Sequence, residues 1–287
     1  MNAPPLSESP WQAAWRRLTA HRSSVAAMLL LAAIVLICFA GPWVSPHTET
    51  GQDLDYRAQG PTLKHWLGTD TLGRDMLTRI MHGGQVSLHV GLLATLVATV
   101  IGVIYGLVSG WSGRRTDDIM MRAVDILYAF PFMVFVILLM ATFGREFWLI
   151  FVAIGAVEWL TMSRVVRGQV LSLKNLEFIM AARAYGASQF TILWRHLLPN
   201  VLGVVIIYAS LTLPGVMMFE ATLSFLGLGV QPPRASWGVL ISEGAQSMQT
   251  YPWLLLGPAA FFSLTLLALN TLGDALRDAL DPKGAAE

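Results

Sequence analysis

Residues 180–200 read MAARAYGASQFTILWRHLLPN, a polar and basic stretch between two apolar runs that are each long enough to cross a bilayer. Such a stretch is made to meet something in water. Its pattern predicts two short helices around a glycine. Ala181, Ala182 and Tyr185 share a helical face, Gly186 suits a left-handed helix stop, and Ser188 caps the second helix. Phe190, Leu193 and Leu197 fall at helical spacing, and Pro199 is expected to close the unit.

Outward from that stretch, composition sets the class. The 287 residues are 55% hydrophobic and only 13% charged, which excludes an ordinary soluble domain and predicts an all-α membrane protein. Six apolar windows match the ~20 residues a helix needs to span a bilayer. They are Val25 to Val44, Ser87 to Ser109, Val124 to Phe143, Phe147 to Val166, Val201 to Thr222 and Trp253 to Thr271. The expected organisation is a tail at 1–24, a first transmembrane helix at 25–44 and an extracytoplasmic loop at 45–84. A core with five further spans then occupies 85–273, with residues 174–200 as its main loop, and a second tail occupies 274–287.

Charge orients the chain. With a cytosolic N-terminus, 13 of the 19 Lys and Arg residues fall inside, and both termini are expected in the cytosol. The same orientation puts the 180–200 stretch in the cytosol. The first apolar run is about twice the length of a signal-peptide core and lacks a small-residue cleavage site before Gly41-Pro42, so it reads as an uncleaved span. The single cysteine, Cys38, rules out an intrachain disulfide and a thiolate metal cluster. No basic patch with interleaved aromatics points to nucleic acid.

Other segments carry local signals. Trp11, Ala14, Trp15 and Leu18 share a helical face in the first tail, which suits a helix lying on the membrane surface or one packed on the domain. Glycines with Thr and Asp neighbours at 66–75 predict two tight turns feeding a helix. Gly91, Thr95, Thr99, Gly102 and Gly106 form a small-residue stripe for close helix packing. Gly and Pro break the chain after the fifth span, where Trp237, Tyr251 and Trp253 are expected near a headgroup layer. Gly273 is expected to stop the last span ahead of a short helix ended by Pro282.

These segments together carry a resemblance. Ala181-Ala182, Gly186 and Leu198-Pro199 resemble, at matching spacing, the EAA loop by which permease subunits of ABC importers grip their ATPase. Met180 stands where that motif has glutamate and His196 where it has isoleucine. Leu67 to Asp75 resembles the LGTDxLGRD signature of the peptide and nickel branch, as do SFLGLG at 224–229 and GDALRDALDP at 273–282. The chain is most similar to the C-type permease of oligopeptide importers, with dipeptide or nickel importers of the same branch as the alternative. The resemblance implies a type I ABC-importer permease fold in a bacterial inner membrane. It further implies a homologous B-type permease partner, two ATP-binding subunits holding ATP and Mg, and an extracytoplasmic peptide-binding protein. In the coupling loop it assigns Ala182 and Gly186 to the ATPase groove. Arg183 and Glu177 are the surface charges best placed to pair across it.

Catalytic signatures are missing. No G-x-x-x-x-G-K-[ST] or H-E-x-x-H occurs, so nucleotide hydrolysis and zinc chemistry are not expected of this chain, nor any bound cofactor. Gly110-Trp111-Ser112-Gly113 spells the GxSG string of intramembrane serine proteases, but no other span offers a histidine as base. Asp125, Glu158 and Glu220 lie in or at the ends of spans. They either line a wet translocation path or bond between helices. An ion-coupled secondary transporter using Glu158 or Glu220 is the rival from another class.

Overall fold

The computed structural model describes residues 10–144 and 147–280. Every long element is a helix: α1 (Pro10–Ala20), α2 (Arg22–Val44), α3 (Met76–Trp111), α4 (Arg114–Ala129), α5 (Phe132–Phe143) and α6 (Phe147–Leu173). After these come α7 (Glu177–Ala184), α8 (Gln189–Thr191), a π-helical segment (Ile192–Leu197), α9 (Leu198–Phe225), α10 (Trp237–Gln246) and α11 (Trp253–Leu280). No strand forms among the described residues, only two isolated bridges in the loop before α3. Among the described residues four helical stretches, α2, α3, α8 through α9, and α11, are long and apolar enough to cross a membrane.

α3 is the axis of the molecule, 36 residues or about 54 Å long. It lies along α6, and the small-residue stripe explains how. A Cβ on Gly102 would sit 2.6 Å from the Cβ of Met162, and one on Gly106 would sit 2.5 Å from the Ser163 carbonyl oxygen. α9 crosses on another side and α11 closes against α2, α9 and α10. Three apolar clusters result. One joins α3, α5, α6 and α9 around Val90, Val136, Ile154 and Val216. A second joins the other ends of α3, α6 and α9 to the 177–197 segment. The third buries Trp237 and Leu240 of α10 against Cys38, Ile80 and Phe262.

Several sequence expectations change. The third window, Val124 to Phe143, is not one straight span: α4 and α5 meet at 80°. Phe130 is extended (φ −77°, ψ 130°) because the ring of Pro131 disfavours helical backbone in the residue before it. α5 alone, at 12 residues or about 18 Å, is too short to span. Gly273 does not stop the last helix, since α11 runs on to Leu280. That glycine instead admits Leu211 of α9, whose Cδ2 would lie 2.8 Å from a Cβ there. The expected proline stop at Asp281-Pro282 lies outside the described residues. Trp237 turns inward on its own chain: it is fully buried and its indole N–H donates to the Ile80 carbonyl, 2.9 Å away. In the first tail, Ala14 and Leu18 of α1 pack on Ala279, which is the domain-packed arrangement, while Trp15 is exposed.

The loop before α3 ends earlier than residue 84, because Asp75 caps a helix that begins at Met76. Asp75 accepts from the Thr78 N–H and hydroxyl, both at 2.8 Å, and pairs with His65 Nδ1 at 2.9 Å. Asp70 accepts from the backbone N–H groups of Leu72 and Arg74 and pairs with Arg74 at 2.6 Å and Arg79 at 2.9 Å. Arg79 also reaches Glu243 of α10 at 3.0 Å. Gly73 turns at φ +79°, where a Cβ would strike the Asp53 carbonyl oxygen. The LGTD and LGRD letters thus build a clamp on the first turn of α3, as the turn-and-cap pattern predicted.

Candidate functional site

The 177–197 segment sits at the far end of α3 from that clamp. α7 ends as the sequence predicts. Gly186 has φ +77°, its N–H donates to the Arg183 carbonyl, and the Ala187 N–H donates to the Ala182 carbonyl at 3.0 Å. This pair of bonds is the Schellman stop, and it needs a residue that tolerates positive φ. Space around Gly186 is open, since a Cβ there would meet nothing within 4 Å. Ser188 then caps α8, its Oγ accepting from the Thr191 N–H at 3.1 Å.

Pro199 does not close the unit. It is the second residue of α9, and helix runs without a break from Gln189 to Phe225. The physical reason lies just upstream, where the chain widens into a π turn in which the Leu198 N–H donates to the Leu193 carbonyl. A proline has no N–H and crowds the turn before it, and a widened turn absorbs both defects. His196 lies in this π segment, half-buried, with its carbonyl held by Asn200 Nδ2 at 2.6 Å.

One side of the segment is anchored and the other is bare. Ile179, Ile192 and Leu197 are fully buried among Val103, Leu107, Val166 and Val201, and Ala182 packs on the same cluster. Two basic side chains tie it to the last turn of α3: the Arg183 guanidinium lies 4.3 Å over the Trp111 ring, and Lys174 Nζ donates to the Gly110 carbonyl at 3.0 Å. Cations suit that helix end, where carbonyls are unpaired and the dipole is negative. Arg183 is therefore engaged within the chain. Glu177 and Ala181 are exposed, and so are large rings: Tyr185 is 92% exposed and Phe190 69%. Among the described residues only Trp194 lies beside one of them, its ring 5.9 Å from that of Phe190.

The three acids separate. Asp125 is exposed and pairs with Arg164 at 2.8 Å, between α4 and α6. Glu158 is half-buried on α6 with no hydrogen-bond partner among the described residues. Glu220 is fully buried, accepting from Ser87 at 3.2 Å and Ser224 at 2.7 Å, so it bonds α3 to α9. Sequence reasoning missed Asp117, whose carboxylate takes a two-pronged bond from Arg167, both arms 2.6 Å, and one from Ser109. A 50-residue separation leaves no spacing signal for such a pair. Ser112, of the GxSG string, donates to the Val108 carbonyl at the end of α3.

A polytopic helical chain with a helix–glycine–helix segment anchored to several long helices, and bare rings on its outer side, has the build of an importer permease. The chain belongs to the family of binding-protein-dependent transport system inner membrane components, whose model matches residues 87–284. A model of the N-terminal transmembrane domain of oligopeptide transport permease C matches residues 9–61. The chain is 50% identical to the oligopeptide transport system permease protein OppC of Haemophilus influenzae, over 96% of this chain and 89% of that one. It is 45% identical to the dipeptide transport system permease protein DppC of Bacillus subtilis, over 95% of this chain and 85% of the relative. Its fold is shared with a chain of the methionine ABC transporter MetNI in an inward-facing form, at a TM-score of 0.55 and 17% identity, over 69% of this chain and 94% of that one. The protein is a multi-pass membrane permease with the ABC-importer fold.

Proposed function

We propose that this chain is the C-type permease subunit of an ATP-driven oligopeptide importer. It has six spans, α6 and the bent α4–α5 pair included, and both termini in the cytosol. A homologous B-type permease completes the translocation path, an extracytoplasmic protein delivers the peptide, and two ATPase chains holding ATP and Mg dock on the 174–200 loop. The observation that carries this is the two-sided 177–197 segment. Its outer rings are bare, while Ile179, Ile192 and Leu197 key it into α3, α6 and α9. A push on the outer side moves the ends of three spans together, which is what alternating access requires. In this reading Tyr185, Phe190, Ala181 and Gly186 meet the ATPase, Glu177 is the charge open to pair across the groove, and His196 and Pro199 shape the return into α9.

Oligopeptides are the favoured substrate because the oligopeptide relatives match over almost the whole chain and the N-terminal model matches as well. The dipeptide relative keeps dipeptides as the second reading. Peptide uptake by cells with and without the chain, together with identification of the chains that co-purify with it, tests the proposal. ATP-dependent tripeptide uptake with two ATPases retained is expected. Ion-gradient-driven transport by the purified chain alone would overturn it.

A further inference from the structure

A cavity of about 440 Å³ opens beside the N-terminal half of α3, and none of Asp125, Glu158 and Glu220 lines it. Its polar walls are Glu49 from the loop after α2, His82, Gln85 and His89 on one face of α3, and Arg234 from the loop before α10. That volume falls within the ~300–1,000 Å³ typical of small-molecule sites.

The tautomer of the two imidazoles is set by their bonds. His82 Nδ1 lies 3.0 Å from the Thr78 carbonyl oxygen and His89 Nδ1 lies 2.6 Å from that of Gln85. A carbonyl oxygen only accepts, so each Nδ1 carries a proton, and the neutral tautomer with that bond has its lone pair on Nε2. Gln85 likewise donates its Nε2 to the Cys38 carbonyl at 2.8 Å, leaving its oxygen as acceptor. Three acceptors thus stand in a row on α3. Among the described residues neither Glu49 nor Arg234 forms an ion pair or a side-chain hydrogen bond, so the cavity also holds an uncompensated carboxylate and an uncompensated guanidinium.

Further along the same face α3 turns apolar, with Leu93, Leu96 and Val100 exposed. Those side chains are at home against lipid or another helix. A polar stripe on a membrane-crossing helix is not, because ionisable side chains facing hydrocarbon are costly and collect instead around wet cavities.

We propose that this cavity is a binding station for short peptides with free termini at the mouth of the translocation path, a proposal that rests on the reading of the chain as a peptide importer subunit. Arg234 takes the α-carboxylate, Glu49 takes the α-ammonium, and Nε2 of His82 and His89 with the Gln85 oxygen accept peptide N–H groups. Charge complementarity of the two unpaired groups with a zwitterion selects this occupant over lipid or a packed helix.

The test places a photo-crosslinking benzoylphenylalanine at position 93, whose leucine lines the same cavity, in cells carrying the complete transporter, and irradiates with a radiolabelled tripeptide. The expected result is a peptide adduct on this chain, removed by excess unlabelled tripeptide and not by the same tripeptide acetylated and amidated at its ends. Adding Arg234→Gln should cut the adduct about tenfold at unchanged membrane abundance, the loss of one charge-assisted bond. Adducts only to another protein chain or to lipid, or none, in cells whose tripeptide uptake still depends on the chain overturn the cavity alone. Uptake that never depends on the chain overturns the importer reading and the cavity with it.

Discussion

Two polar segments close opposite ends of α3, and they use their polarity in opposite ways. In the 45–75 loop three carboxylates are answered from within the chain: Asp70 by Arg74 and Arg79, Asp75 by His65 and the cap of α3, Asp53 by Lys64 at 2.6 Å. The Lys64 hydrogen bond holds the Asp53 carboxyl below its ordinary range. Residues 177–197 satisfy their backbone by the Schellman stop and the Ser188 cap, then leave Tyr185 and Phe190 bare. A loop that answers its own charges is a brace. One that anchors its apolar half and exposes the rest is, under the proposed function, a surface for another chain.

The comparison breaks most readily at the brace. Asp70→Ala leaves the buried Arg79, 3% exposed, with only the half-exposed Glu243 as a carboxylate partner. Removing one partner of a buried pair costs roughly 3–5 kcal/mol, so abundance in the membrane and the melting temperature of the purified chain should fall sharply. Wild-type thermal stability of Asp70→Ala would show that the loop is not a brace.

At the other end the expected effect is on coupling and not on folding. Gly186→Val forces a β-branched residue to φ +77°. Strain of that kind costs about 1–3 kcal/mol, and with open space around the site the segment relaxes without disturbing the spans. Normal abundance with little uptake is expected, and wild-type uptake would remove the segment from the coupling route. Ser188→Ala deletes only a cap worth about 1 kcal/mol and should lower uptake less than Gly186→Val does. Equal losses in the two variants would mean that the cap matters as much as the turn.

How much of this was legible in the sequence differs between the same two regions. Gly186 and Ser188 were, because a helix stop and a cap are written in adjacent residues, and so were the turns around Gly73. Partners far apart in the chain were not. Arg183 on Trp111, Asp117 on Arg167 and Glu220 on Ser87 each join helices whose relative rotation no local pattern sets. The proline errors run both ways: Pro131 breaks an apolar run that hydropathy averages over, whereas Pro199 is absorbed by a π turn and breaks nothing. Gly273 misled for a related reason, since close packing against Leu211 asks for the same residue as a helix stop.

If the bare side of the 177–197 segment docks the ATPases, its exposed rings can be replaced at little cost to the fold and large cost to the assembly. Tyr185→Ser with Phe190→Ser removes the two most exposed rings of the segment, so surface energetics predict a stability change within about 0.5 kcal/mol. Affinity purification of the double variant from membranes should then recover the chain at wild-type abundance with its ATPase partners largely lost. Full ATPase recovery with the double variant would contradict the account.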